Sequence, residues 1–160
     1  MDFSERLLEL LARLKALAGA YYDLTGRALV GVADEIAQYE AAVRLADVEL
    51  APARERGYGA IRRLACGDQR LQIRGRRVLV EAASRQRTGS IELSEDWDSM
   101  LLVLLDDHYA ATAIYEADRR ALTGAISGSR SGAGNGRAQL SVTKFTSIGQ
   151  RIWAREASVG

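Results

Sequence analysis

Six consecutive apolar residues, 100–105, lie in the middle of the chain and are followed at once by the polar residues 106–108. Successive side chains of a strand point to opposite faces, so an uninterrupted apolar run is typical of a strand buried on both faces. Other layers, most simply helices, have to cover those two faces. The run therefore favours an α/β domain with a central strand at residues 100–105.

The spacing of apolar residues predicts the other elements. Residues 3–18 have the 3-4 spacing of an amphipathic helix, placed within an N-terminal helical segment of residues 1–25. A second helix is predicted over residues 33–46. The remaining predicted elements are strands at 59–64, 70–79 and 112–116, a helix at 119–126 capped by Asp118, an edge strand at 140–142 and a helix at 144–153.

These elements predict one domain over residues 1–160, because the length is that of an ordinary single domain. Its architecture is expected to be α/β, with a mixed central sheet of about five strands flanked by helices. Residues 124–137 are rich in glycine and serine with few apolar anchors, which predicts a flexible loop.

Composition limits the compartment. No apolar stretch is long enough to span a bilayer, and the first residues lack the features of a secretory signal. Cys66 is the only cysteine, which excludes an internal disulfide and a cysteine-based zinc site. We expect a soluble cytoplasmic protein without a membrane partner.

The net charge is only +1, but charge is distributed unevenly. Residues 54–91 contain ten arginines and three acidic residues, an excess of seven positive charges. A strand hairpin would concentrate these arginines in space, as a DNA-binding face requires. The alternative is that they are scattered over solvated strand faces and paired with neighbouring acidic residues.

The apolar stripe of the N-terminal helix also allows two interpretations. It extends at 3-4 spacing from Leu7 to Leu24, about the minimum length for a coiled coil. The stripe is either a seam joining two subunits, which would make the protein a homodimer, or a face that packs on its own domain.

Three short motifs carry the candidate chemistry. A helix reads Gly31-Val32-Ala33-Asp34-Glu35-Ile36-Ala37-Gln38-Tyr39-Glu40, a strand begins Gly57-Tyr58-Gly59-Ala60-Ile61, and the next strand contains Gln72-Ile73-Arg74-Gly75-Arg76. The spacing of Gln72 and Arg74 places both side chains on one face of their strand.

In these motifs the chain resembles the restriction-endonuclease-like, or PD-(D/E)xK, superfamily. It is closest in pattern to uncharacterised bacterial proteins with a Mrr-type Gln-x-Lys signature. The resemblance extends over residues 26–153. It includes later segments at 97–98, 114–119 and 141–145.

The resemblance implies a Mg²⁺-dependent nuclease fold that acts on DNA. A strand acid would hold the metal, the middle residue would add a ligand or place a water, and a lysine would orient the attacking water. On this pattern Gln72 is the middle residue and Glu35 is a helix glutamate that assists metal binding or water positioning.

The chain departs from the pattern at two positions. Gly59 stands where the strand acid is expected, and Arg74 stands where the lysine is expected. Arginine binds phosphate but does not give up a proton near neutral pH. We therefore predict a degenerate catalytic site of Glu35, Gln72 and Arg74, with Glu35 as the one remaining metal-ligand candidate.

Three functions follow as hypotheses. The first is a DNA-binding protein that cuts poorly or not at all, with phosphate contacts from Arg62, Arg70, Arg74, Arg76 and Arg77. The second is an active Mg²⁺-dependent endonuclease with a rearranged site. The third is a non-catalytic interaction or regulatory protein that dimerises through its first helix. Mg²⁺ is expected only if the protein is active.

Overall fold

A computed structural model describes residues 2–52, 55–78, 85–128 and 137–157. The helices in these ranges are α1 (Phe3–Thr25), α2 (Val32–Arg44), α3 (Arg119–Ser127) and α4 (Val142–Ile148). The strands are β1 (Val48–Leu50), β2 (Ala60–Leu64), β3 (Gly67–Arg77), β4 (Ile91–Glu92), β5 (Ser99–Leu105), β6 (Ala111–Asp118), β7 (Arg137–Ala138) and β8 (Gln150–Ala154).

The central sheet has six strands in the order β1-β2-β3-β5-β6-β8, where the sequence indicated about five. Strands β3 and β5 are parallel, and the other neighbouring pairs are antiparallel. Strands β4 and β7 form a separate two-stranded ladder. The α/β class and the mixed central sheet are confirmed.

Strand β5 is buried on both faces, as its apolar run predicts. Leu101, Val103 and Leu105 belong to a core that α1 and α2 cover. Met100 and Leu102 belong to a second core on the opposite face, where α3 and α4 pack. The same alternation continues into β3 through its register with β5 and decides where each β3 side chain points.

Helix α2 lies directly on β3 at Gly75. A Cβ atom at this position would be 2.1 Å from the carbonyl oxygen of Ala33 and 2.6 Å from the Cβ of Ala37. Pairing between β2 and β3 ends at the Ala60–Leu71 pair, so the following part of β3 has one edge without a strand neighbour. Helix α2 covers that edge.

Helix α1 confirms the predicted N-terminal helix and packs through one of its faces. Leu11 and Ala18 are buried against the core, and Lys15 forms an ion pair with Glu40 of α2. The guanidinium of Arg77 also stacks over the ring of Tyr22 in this helix. Apolar residues beside this contact face remain exposed, namely Leu10, Leu17, Tyr21 and Leu24.

The predicted helix at residues 144–153 is wrong in its second half. Helix α4 ends at Ile148, and residues 150–154 form β8 against β6. Gly149 makes this change of direction possible, since a Cβ there would be 2.9 Å from the carbonyl oxygen of Glu116. Ile152 and Trp153 then pack against the core beneath α1 and α2.

Two other predictions in this part of the chain need correction. The expected edge strand at 140–142 is reduced to an isolated antiparallel bridge between Ser141 and Arg87, because Val142 begins α4. Of the expected flexible loop at 124–137, residues 124–127 continue α3 and residue 137 begins β7. Residues 129–136 lie outside the described residues. The Asp118 cap is confirmed, since its side chain accepts from the backbone N–H of Ala121.

Among the residues that the structure describes, no helix has the length and apolar composition that crossing a bilayer requires.

The contact at Gly75 yields a stability prediction. Gly75→Ala should lower the free energy of unfolding by about 2 kcal/mol or more, because the new methyl group overlaps the backbone of α2. Gly124→Ala is the matched control, since no atom lies within 4 Å of its added Cβ in α3. The control should raise stability by about 0.5–1 kcal/mol, as alanine is the better helix former. Urea unfolding measures both, and equal effects would show that α2 does not pack closely on β3.

Candidate functional site

A cavity of about 540 Å³ opens where β2 and β3 separate beside α2. Its lining includes Glu35 and Gln38 from α2, Gly59 at the start of β2, and Gln72 and Arg74 from β3. The structure therefore brings all the predicted catalytic positions into one cavity. Gln72 and Arg74 lie on one strand paired with β2, which confirms their predicted placement.

The residues reach the cavity from the two faces of the sheet. Gln72 and Arg74 are register partners of Met100 and Leu102, so they turn toward the α3/α4 face. Glu35 lies on α2, which covers the opposite face. The two sets meet because the edge of β3 beyond Leu71 has no strand neighbour there. The separation of β2 from β3 thus creates the site.

Gln72 is a buried polar residue at this edge. It is 4% exposed, and its Nε2 donates a long hydrogen bond of 3.4 Å to the carbonyl oxygen of Gly57. Its Oε1 is also buried and has no hydrogen-bond partner among the described residues. A buried acceptor without a donor is costly and uncommon in native proteins.

Arg74 is held by neighbouring backbone. Its Nε and Nη2 both donate to the carbonyl oxygen of Ser90, at 3.1 and 3.0 Å, and its Nη1 is 3.9 Å from Oδ2 of Asp34. The guanidinium is therefore fixed at the cavity wall. An arginine guanidinium binds anions through its N–H donors but does not act as a general base.

Gly59 lines the cavity but has no side chain to place in it. A Cβ there would be 3.0 Å from Oε1 of Gln38, so the side chain of Gln38 occupies the space that an acidic residue would need. In the described part of the chain, no group of three or more histidine, cysteine, aspartate or glutamate residues is arranged to hold a metal ion. Magnesium prefers carboxylate oxygens in a near-octahedral arrangement. The carboxylates that line the cavity are not gathered into such an arrangement, and Gln72 is neutral, so the donors present do not fit it.

Sequence reasoning missed three further carboxylates that line this cavity, those of Glu55, Glu92 and Glu95. Tyr58 lies beside them, and desolvation and the hydrogen-bonded Glu55 carboxylate raise the pKa of its phenol above the usual value. Glu55 and Tyr58 are close to the Gly59 motif and could have been considered. No sequence signal places Glu92 and Glu95 there, because they follow a long connection after β3.

Carboxylates already engage most of the predicted phosphate-binding arginines. Arg62 contacts Glu116 at 2.8 Å and Asp47 at 3.0 Å. Arg70 forms an ion pair with Asp96 and lies 3.6 Å from Asp98.

Two more arginines of this group are engaged as well. Arg76 contacts Asp34 at 2.9 Å. Arg77 contacts Asp107 at 3.2 Å and stacks over Tyr22 at 3.8 Å from the ring centroid. Arg76 turns toward the α3/α4 face and Arg77 toward α1, so the five arginines do not share one face. Their role in DNA binding stays a prediction.

A second cleft, of about 300 Å³, lies between α3 and α4. Arg87 and Lys144 line it, both are exposed, and the described lining residues include no carboxylate. Arg120 lies on α3 in an adjoining depression that shares Gly124 with the cleft. We refer to Arg87, Arg120 and Lys144 as the α3–α4 basic surface. Sequence reasoning missed it because these residues are far apart in the chain.

Comparison with known proteins identifies no relative: no protein-family model matches the chain, and no curated protein shows significant similarity to it.

Proposed function

We propose that this chain is a nucleic-acid-binding domain of restriction-endonuclease-like architecture whose phosphodiesterase site no longer cleaves. The observation that carries the proposal is the cavity beside β3. There Glu35, Gln72 and Arg74 line one cavity, while Gly59 leaves the position expected for the metal-holding acid without a ligand. The exposed free thiol of Cys66 suits the reducing cytoplasm, where we place the protein.

The chemistry of the cavity opposes cleavage. Phosphodiester hydrolysis needs a metal ion or an equivalent cation to offset the charge that develops on the phosphate. Arg74 is the one cationic residue of the described lining, and two of its donors are already bound to Ser90. The four carboxylates around it repel a phosphate. No strand acid anchors a metal ion that could offset the negative charge of these carboxylates, so the cavity remains unfavourable for a phosphate substrate.

For DNA contact we favour the α3–α4 basic surface. Its cations carry no ion pair among the described residues, whereas the guanidinium groups of Arg62, Arg70, Arg76 and Arg77 are bound to carboxylates. Free cations bind phosphates without first breaking an internal ion pair, and they release counterions on binding. Contacts of this kind give affinity with little sequence preference.

Binding to short duplex DNA should be micromolar or weaker and should fall steeply as salt is raised. The double variant Arg87→Ala/Lys144→Ala should bind about tenfold more weakly, with the slope of log K against log salt reduced by about two. Fluorescence anisotropy at several salt concentrations measures both quantities.

The control Arg6→Ala/Arg27→Ala removes the same charge from exposed positions outside the α3–α4 basic surface and should leave the salt slope unchanged. Loss of binding in Arg70→Ala, with the Arg87/Lys144 variant unaffected, would move the interface to the β2–β3 hairpin. No binding by the unmodified protein would contradict the proposal.

The unmodified protein should show no Mg²⁺-dependent cleavage of DNA above background. The combined variant Gly59→Asp/Arg74→Lys should supply a metal ligand and a water-orienting amine on adjacent strands. Adding Gln38→Ala should make this rescue effective, since the amide of Gln38 fills the space that the new carboxylate needs. Cleavage of a supercoiled plasmid, scored on gels with and without Mg²⁺, is the measurement.

Neither Gly59→Asp nor Arg74→Lys alone should suffice, because a metal without its partner leaves the transition state uncompensated. Cleavage by the rescued variant should disappear when Glu35→Ala is added. Strong cleavage by the unmodified protein that Glu35→Ala abolishes would instead establish an active, rearranged endonuclease.

A specific observation also favours a dimeric interaction protein as the second candidate. Leu10, Leu17, Tyr21 and Leu24 repeat at heptad spacing along α1 and are exposed, Leu17 by 63% and Leu24 by 86%. Leucines at this spacing on one helix pack well against an identical helix. Under this candidate a second copy of the chain covers the strip.

Sedimentation equilibrium tests the dimer. Leu17→Lys should shift the protein from dimer to monomer at micromolar concentration, because it places a charge in the seam. Leu8→Lys is the matched control, since Leu8 is similarly exposed, at 53%, but lies outside the strip. It should leave the dimer intact. A monomeric unmodified protein throughout the concentration range would eliminate this candidate.

A further inference from the structure

The cavity beside β3 has a charge that its motif does not explain. Glu35, Glu55, Glu92 and Glu95 line it, against the single cation of Arg74. Four carboxylates and one guanidinium give the lining a formal charge of −3. Since like charges in one cavity repel each other, this excess of negative charge favours a cationic ligand.

Two of these carboxylates lack a counter-ion in the described part of the chain. The side chains of Glu35 and Glu95 form no ion pair with any of the described residues. Glu95 lies beside Gly57, where an added Cβ would be 2.7 Å from the Cβ of Glu95. Arg74 forms no ion pair with either of them, since its Nε and Nη2 donate to the carbonyl oxygen of Ser90 and its Nη1 lies 3.9 Å from Oδ2 of Asp34.

The second, independent observation is Gln72. It lines the same cavity, is 4% exposed, and buries an Oε1 that accepts no hydrogen bond. A buried acceptor of this kind is satisfied when a donor reaches it. Its oxygen carries partial negative charge, so it adds to the attraction for a positively charged N–H donor rather than for an anion.

We propose that this cavity binds a guanidinium group. A guanidinium carries one positive charge and five N–H donors in a plane, so it can serve carboxylates and the Gln72 amide together. It is more weakly hydrated than an ammonium ion and is therefore easier to bring into a partly buried site. Tyr39 and Tyr58, which also line the cavity, provide aromatic surface on which a guanidinium stacks.

This site goes beyond the proposed nucleic-acid binding and is spatially separate from it. The guanidinium cavity and the α3–α4 cleft share no described lining residue. A substitution can therefore abolish guanidinium binding without affecting nucleic-acid binding, and the reverse is also expected. In this interpretation the cavity keeps the position of a phosphodiesterase site but has the opposite charge preference.

Isothermal titration calorimetry with methylguanidinium chloride tests the site directly. We expect millimolar affinity for methylguanidinium, weaker binding of methylammonium, and no binding of methylurea, which has a similar shape and no charge. Glu35→Gln should weaken methylguanidinium binding roughly five- to tenfold, since it removes one charge-assisted contact. Gln72→Met should weaken it as well, because it keeps the volume of the side chain and removes the acceptor.

The matched control is Glu156→Gln, which removes one carboxylate from an exposed position outside the cavity lining and should leave the affinity unchanged. Glu35 is exposed, so its variant should fold even if Gln72→Met does not, and it decides the outcome. The proposal is overturned if methylurea binds as well as methylguanidinium, if methylguanidinium does not bind, or if Glu35→Gln and Glu156→Gln bind it alike.

A second titration distinguishes the two sources of a guanidinium group. Arginine amide represents a free small molecule, and a short peptide with a central arginine represents the side chain of a protein partner. Tighter binding of the peptide assigns the cavity to a protein partner. Equal or tighter binding of arginine amide assigns it to a small molecule.

Discussion

The carboxylate of Asp34 joins helix α2 to strand β3 beside the candidate site. Strand β2 leaves β3 after Leu71, so the next backbone N–H groups on that edge lack a strand partner. Oδ1 of Asp34 accepts from the N–H of Gly75 at 2.8 Å and from Nη1 of Arg76 at 2.9 Å. A helix residue thus replaces the missing strand and locks α2 against β3. The contact between Asp34 and β3 closes one side of the opening between β2 and β3. The other side stays open and forms the cavity.

That contact also sets the electrostatics of the site. The carboxylate of Asp34 interacts with the guanidinium groups of Arg74 and Arg76, so these two arginines help to hold α2 against β3. Among the described residues, the cavity carboxylates of Glu35 and Glu95 form no ion pair. The lining contains more carboxylates than cations. Cations without an ion pair among the described residues lie on the α3–α4 basic surface, whose described cleft lining contains no carboxylate.

Sequence patterns predicted an element correctly where its structure depends mainly on residues near it in the chain. The apolar run of β5, the Asp118 cap and the amphipathic α1 were all predictable, because each depends on neighbours in the sequence. They were unreliable at residues 150–154, where an apolar segment that reads as a helix is instead a strand. Pairing with β6 and the close approach of Gly149 to Glu116 decided that outcome, and both are long-range contacts.

By itself, then, the sequence determined the α/β class, the strand that carries Gln72 and Arg74, and the absence of a carboxylate at Gly59. Residue type and two-residue spacing are sufficient for these statements. Only the tertiary structure decided that most of the predicted DNA-binding arginines are bound to carboxylates, and that Glu92 and Glu95 join Glu35 in one cavity. Charge pairing depends on which distant strands become neighbours. That neighbourhood is a property of the folded chain, because electrostatic interactions act through space and are indifferent to sequence separation.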